Sequence, residues 1–293
     1  MIARHILLTR LLAKLRFRLL SPLHIGLGER GFLIQNTLLV EKYVIPASSL
    51  KGSLRRIAEW LMKSKLESYT DELVKKAVQL HREERGPIEH TPPPSENANK
   101  TIDEIYNKLK DSRKELFDFL WKQFREDKRK IVDVGLGVLC PVCSIFGCPS
   151  FAGKMRLTGA KIANDSYTLR FIWGVGINRE TRTAERNVLF AHQVIDPGVT
   201  LCCEIIVDNL IPGDPDAQLF ADLLKYLHEE GFQVGARKSV GLGCLDLDVE
   251  NSEFAFADLR NKRDLESLKA LFTQPYTKYP IKFEQLIEKL LGK

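Results

Sequence analysis

Three thiols stand close together in this chain, Cys140-Pro141-Val142-Cys143 and then Cys148. The C-x-x-C spacing lets two sulfurs share one tetrahedral ion, and a closed zinc site takes four ligands, so at least one ligand has to come from another segment. Two other uses compete for the same residues, reduced structural cysteines and a redox pair, although the redox use lacks a thioredoxin-like βαβ setting. Cys202, Cys203 and Cys244 fall in strand-like patterns and read as small core residues.

A second cluster is cationic. Residues 45 to 56 read IPASSLKGSLRR, the start of an amphipathic helix with Lys51, Arg55 and Arg56 where acids would normally complement the exposed N–H groups. Ser48, Ser49 and Lys51 together with those N–H groups suit a phosphate. The plainer use of the serines is an N-cap. A glycine-rich stretch, Gly235 to Gly243 with Arg237 and Lys238, lets backbone and charge approach a ligand. It lacks the G-x-x-x-x-G-K-[ST] order, so nucleotide hydrolysis is not supported, and taken alone it is also a plausible turn.

The elements that must position these groups follow from periodicity. Leu15, Phe17 and Leu19 alternate with Lys14, Arg16 and Arg18, which predicts a strand over 12–20 with one oily and one cationic face. Leu50, Leu54, Ile57, Ala58 and Leu61 form a helical stripe from Ser48 or Ser49 to Lys65. Residues 66–148 have the character of a helical insertion, with helices expected at 71–85 and 102–130 and proline interruptions between them. Strands are expected at 154–162, 168–173, 200–207 and 244–249, a protruding arm between the second and third of these, and a helix at 214–231. The tail, 251–293, reads as mostly helical. This order fits an α+β, ferredoxin-like sheet covered by helices on one face, whose other face is a common RNA platform.

With 293 residues, 44% apolar content and 44 basic against 38 acidic side chains, net +6, the chain can bury a core and carries a modest basic excess. That excess is concentrated in acid-free runs, Arg4 to Arg18 and Lys154 to Lys161, which suggests a polyanionic partner. No apolar run approaches the length of a membrane span and no signal-peptide pattern is present, so a cytoplasmic location without a membrane partner is expected.

Taken together, IPASSLKGSLR and the later GARKSVGLGCL resemble the RAMP superfamily of CRISPR-associated proteins, whose members carry an I-P-G-S-S-L-K-G-x-x-R signature and a C-terminal glycine-rich loop. CSIFG at 143–147 resembles the C-x-L-F-G that follows the helical insertion in backbone subunits of type III (Csm/Cmr) effector complexes, and NVLFAHQVIDPGVTLCCEIIV resembles their L-F-x-x-E-x-V-x-x-G-x-x-F segment. The resemblance covers roughly residues 12–249. It implies a single RAMP domain over 1–293, a modified RRM core with a helical lid at 66–148 and a β-hairpin thumb at 166–192. It also implies other RAMP subunits as partners along a guide RNA (crRNA) paired to target RNA in antiviral defence. Guide-binding roles then fall on Ser48, Ser49, Lys51, Arg55, Arg237 and Lys238, and contacts to the guide:target duplex on Arg179, Arg182 and Arg186.

The same resemblance completes the metal set, because related subunits use a lid histidine with nearby cysteines. His90 joins Cys140, Cys143 and Cys148 around a structural zinc, with His81 as second choice. Relatives that cut target RNA carry an Asp before the signature, and Gln35 stands at that position here. A neutral amide can neither act as base nor hold a divalent cation well, so no cleavage by this subunit is expected. A displaced acid, Glu29 or Glu41, would restore a metal-dependent ribonuclease, and His24 is the candidate for a guide-precursor-processing ribonuclease. A zinc-stabilised RNA-binding protein outside CRISPR is the third possibility.

Overall fold

The computed structural model describes residues 6–25, 44–81, 88–92, 95, 97–164, 166–261 and 264–293. β1 (Thr9–Leu19) buries Leu11, Ala13, Leu15, Phe17 and Leu19 while Lys14, Arg16 and Arg18 face outward, as its two-residue period requires. Short β2 (Val44–Ile45) leads into α1 (Ala47–Ser64). A helical stretch follows, α2 (Glu72–Gln79), α3 (Ala98–Ser112), α4 (Lys114–Phe124), α5 (Lys128–Leu139) and α6 (Pro141–Phe146). Next come the small hairpin β3 (Gly147–Cys148) and β4 (Phe151–Ala152), then β5 (Met155–Leu157) and β6 (Ala160–Ile162). β7 (Leu169–Ile177), β8 (Ala184–Ile195), β9 (Thr200–Asp208), α7 (Pro215–Glu229), β10 (Phe232–Gln233) and β11 (Cys244–Leu247) continue the chain. It ends in β12 (Glu253–Asp258), α8 (Leu265–Thr273), α9 (Pro275–Lys278) and α10 (Phe283–Leu290).

These elements form a mixed α/β fold on one open sheet of eight strands, ordered β10-β11-β1-β9-β6-β2, with β12 also on β1 and β5 also on β9. Every pairing is antiparallel, and β1 is central because both its edges are filled: β9 runs along one from Arg10↔Asp208 to Arg18↔Thr200, while β12 and β11 share the other. α1 packs on α7, which in turn contacts β11 and α10. The core between helices and sheet holds Leu15, Phe17, Leu50, Leu54, Phe220 and Leu224. Each such side chain contributes about 1.5–3 kcal/mol on burial, and Phe17 adds an edge-to-face contact with Phe232 at 5.2 Å.

Register also decides the fate of the basic N-terminal run. Arg10 pairs with Asp208 at 2.7 Å, Lys14 with Glu253 at 3.4 Å and Arg18 with Asp246 at 2.7 Å, each acid lying on a neighbouring strand. The Phe272 ring lies 4.8 Å from the Arg10 guanidinium and the Tyr276 ring 4.4 Å from Lys14 Nζ, so α8 and α9 overlie part of the polar face. The face expected as an open RNA platform is therefore partly covered along β1, and three of its basic side chains are paired with acids. Lys154 and Arg156 are likewise paired, with Asp216 and Asp208.

Three other expectations change in detail. The helix expected at 102–130 is divided: α3 stops at Arg113, α4 ends where Arg125 adopts φ 47°, and Asp127 caps α5 through the Lys130 N–H at 2.9 Å. The strand expected at 168–173 runs on to Ile177 as β7 and pairs antiparallel with β8 in its own two-stranded sheet, with a register shift between Val175 and Ile177. The tail contains a strand as well as helices: β12 buries Phe254, Ala255, Phe256 and Ala257.

Candidate metal centre and basic helix face

His81, His90, Cys140 and Cys143 converge so that one donor atom from each lies within 4.8 Å of all the others, and all four residues are buried. His81 follows α2, His90 lies in the segment before α3, Cys140 caps α6 with Pro141 as its first residue, and Cys143 sits within α6. The C-x-x-C thus spans a helix start, the local geometry that turns both sulfurs to one side. His81 Nδ1 is 3.3 Å from His90 Nε2, 3.5 Å from Cys140 Sγ and 3.6 Å from Cys143 Sγ. Two imidazoles and two thiols at these separations make a donor set that one metal ion can bridge.

The sequence pattern places Cys148 in the set and His81 second. The geometry reverses them. Gly147 has φ 89° and turns the chain into the β3 and β4 hairpin, leaving Cys148 half-buried beside Cys143 while His81 completes the cluster. Gly147 has to be glycine, since a Cβ there would stand 2.7 Å from Gly153 N.

Around the donors lies a second layer. Glu59, 3% exposed, places Oε1 3.3 Å from His81 Nε2 and accepts from Arg55 Nε at 2.9 Å. Asp133 accepts from the His90 backbone N–H at 2.8 Å. Met62 Sδ lies 3.7 Å from Cys140 Sγ. With no ion between the donors, burial works against a charged His81, but its hydrogen bonds to Cys143 and Glu59 outweigh that and push its pKa up to about 9. His90 is driven the other way, down to about 4, by burial and by the neighbouring His81. The hydrogen bond with Cys140, and after it burial, raise the Cys143 thiol, against the lowering effect of its hydrogen bonds with Cys148 and His81.

The basic cluster assembles at the other end of α1. The helix starts at Ala47 with Pro46 as N-cap, no side chain caps it, and no acid occupies its first turn. Ser48 and Ser49 therefore fall inside the first turn, and neither serves as the cap. The glycine-rich stretch folds onto this helix: Lys238 Nζ donates to Ser53 Oγ at 3.1 Å. The loop needs its glycines, because Gly235 has φ 88° and a Cβ there would stand 2.4 Å from His24 O, while one on Gly243 would stand 1.9 Å from Val234 O. Lys51 is depressed by burial and by the Arg55 charge, and Lys238 by burial and by Arg56. Like charges are crowded here, which is the electrostatic condition an anion relieves.

The remaining candidates are placed as follows. Arg237 is exposed with φ 58°. Arg179 and Arg182 are exposed at the β7 to β8 turn, and Arg186 is a residue of β8. Arg55 points into the metal centre. His24 is 5% exposed, and its Nδ1 lies 2.9 Å from the Gln193 carbonyl, which only accepts, so Nδ1 carries the proton. Its ring is 5.0 Å from that of His192. Glu29, Gln35 and Glu41 lie outside the described residues. Sequence reasoning missed Glu59, Ser53 and Asp133. Glu59 had a signal: an acid within the buried stripe of α1, spaced i,i+4 from Arg55.

Residues 16–246, well over half of the chain, match the family described as the RAMP superfamily. The chain belongs to that superfamily. A search of curated proteins returns no match. Among the described residues no helix is long and apolar enough to cross a membrane.

Proposed function

We propose that this protein is a backbone subunit of a type III (Csm/Cmr-type) CRISPR ribonucleoprotein, gripping guide RNA and the guide:target duplex without cutting the target. The observation that carries the reading is the bond from Lys238 to Ser53, which joins two basic motifs from distant parts of the chain into one surface. On that surface Ser48, Ser49, Lys51 and the first N–H groups of α1 would hold a phosphate, with Arg237 and Lys238 across from them. Such contacts position RNA, and base pairing reads sequence.

The topology supports the core this function requires. Taken in chain order, β1, α1, β6, β9, α7 and β11 give strands in the spatial order β11-β1-β9-β6, the order that a ferredoxin-like or modified RRM core would have. The helical segment 66–148 would be the lid and the β7 to β8 hairpin the thumb, with Arg179, Arg182 and Arg186 directed at the duplex. Other RAMP subunits would flank it in a cytoplasmic complex.

Zinc is the metal that best fits the lid. At bond lengths of about 2.0–2.1 Å to nitrogen and about 2.3 Å to sulfur, a tetrahedron has N···N edges of about 3.3 Å and N···S edges of about 3.5 Å. The separations from His81 Nδ1 are 3.3, 3.5 and 3.6 Å. Four protein donors leave no open position, so the ion would be structural.

The test is assembly of the complex with parental or Lys51→Glu protein, followed by sequencing of the bound RNA and mapping of target cleavage. Repeat-derived RNA, absent from complexes of the folded variant, is the expected result. RNA without repeat-derived ends would place the protein outside CRISPR. Cleavage beside this subunit that Glu29→Ala, Glu41→Ala or His24→Ala abolishes would overturn the noncatalytic part.

A further inference from the structure

Arg55 closes the helix signature that the resemblance assigns to guide RNA, yet its side chain is turned inward. Each guanidinium nitrogen has a partner there: Nε donates to Glu59 Oε1 at 2.9 Å, one terminal nitrogen to the Gly147 carbonyl at 3.0 Å, and the other lies 3.5 Å from Cys143 Sγ. Glu59 is the only acid in α1. It is buried, and it faces the His81 nitrogen that points away from the other three donors.

We propose that Arg55 and Glu59 are positioning residues of the metal centre, so that this arginine of the basic helix serves the ion and not a phosphate. The inference rests on the metal reading of the four donors and is independent of which RNA the protein holds. Its chemistry is that of a histidine oriented by a carboxylate. Accepting a hydrogen bond from Nε2–H, Glu59 fixes the tautomer that leaves the Nδ1 lone pair facing the ion and raises its basicity. Arg55 then holds that carboxylate and steadies one sulfur. The planar fork spans three acceptors at once, which a lysine ammonium cannot do.

Charge supports the assignment. Two thiolates balance a divalent ion, and Glu59 balances Arg55, so neither member of that pair is left uncompensated when the site is loaded. An arginine given up to a phosphate would leave Glu59 buried beside two thiolates, a strongly unfavourable arrangement. A further consequence is mechanical: α1 is tied to α6 through this guanidinium and to the segment bearing His81 through Glu59.

Metal affinity is measured on the full-length protein by competition with a chromophoric chelator, and donor geometry from the visible bands of the Co(II)-loaded form. Arg55→Lys and the near-isosteric Glu59→Gln should each weaken zinc binding about 10–100-fold and shift the Co(II) spectrum, while Cys148→Ser should not. Metal-saturated Arg55→Met should retain guide RNA like the parent, in contrast to Lys51→Glu. Parental zinc affinity in Arg55→Lys or Glu59→Gln would overturn the proposal, as would failure of the metal-saturated arginine variant to hold RNA. If the parent bound neither metal, the metal reading itself would fall, a distinct result.

Discussion

Replacing His81 with alanine removes the donor whose Nδ1 lies 3.3, 3.5 and 3.6 Å from the other three. The remaining His90, Cys140 and Cys143 cannot close a tetrahedron, and an ion held by three protein ligands needs water as its fourth among buried donors. Structural zinc sites of this kind bind with apparent free energies of about 10–16 kcal/mol, so loss of one donor in four removes roughly 3 kcal/mol, on the order of 100-fold in affinity. At zinc 1,000-fold above the dissociation constant, the parent gains about 4 kcal/mol of stability, which for a chain of this size corresponds to about 8–16 °C in Tm. Thermal melts with and without a strong chelator therefore give a direct readout. The parent should drop by that amount on chelation, Cys148→Ser should drop similarly from a similar starting point, and His81→Ala, for which the same zinc is only about 10-fold above the dissociation constant, should start lower and drop by about a third as much. A full parental response in His81→Ala, or none in Cys148→Ser, would refute the donor assignment.

Metal uptake should also depend on pH in a known direction. His81 without the ion is pushed up to about 9, so it carries a proton at pH 7 that the metal must displace, and the raised Cys143 thiol must lose one as well. Below these values affinity falls as pH falls, with a slope of roughly two or more log units per pH unit, read by competition titration between about pH 6 and 8. For RNA, Lys51→Ala or Lys238→Ala should weaken binding and flatten the salt dependence by about 0.7 in log–log slope for each single-strand phosphate that the variant no longer neutralises; a slope unchanged in both would show that neither lysine meets phosphate. Gly243→Ala forces a Cβ to 1.9 Å from Val234 O, which should cost at least the roughly 1–3 kcal/mol typical of a strained backbone and be visible as a lowered Tm.

Where the sequence was legible, one local period or one local motif was enough. The alternation of Leu15, Phe17 and Leu19 with Lys14, Arg16 and Arg18 forecast which face of β1 is buried, and the stripe from Leu50 to Leu61 forecast α1. Cys140 and Cys143 were legible as a pair for the same reason. What the pattern could not carry was register over long separations. Nothing near Arg10 or Arg18 indicates that Asp208 and Asp246 will stand opposite them, so part of the charge of that basic run is taken up in pairs across the sheet. His81 ranks too low on sequence grounds because the chain between it and Cys140 hides their convergence. Arg55 shows the same limit in another form: a motif fixes the residue type, while the i,i+4 acid buried beside it decides where the side chain turns. β12 escapes the pattern despite its Phe254 and Phe256, because both faces of that strand are buried and its alternation is apolar on apolar.

The placement of β1 in the middle of the sheet sets an order for biosynthesis. Its partners β9, β11 and β12 all begin at or beyond Thr200, so β1 is synthesised long before any of the strands that flank it. All four metal donors, by contrast, have been synthesised once Cys143 emerges. The helical layer that carries these donors can thus consolidate before the sheet does, in keeping with the earlier formation of contacts closer in sequence. Nascent chains stalled far enough beyond β4 for Cys143 to have cleared the ribosome, but before β9 has emerged, should show metal-dependent protease resistance within 66–148 while β1 remains cleavable, and equal protection of both would contradict that order.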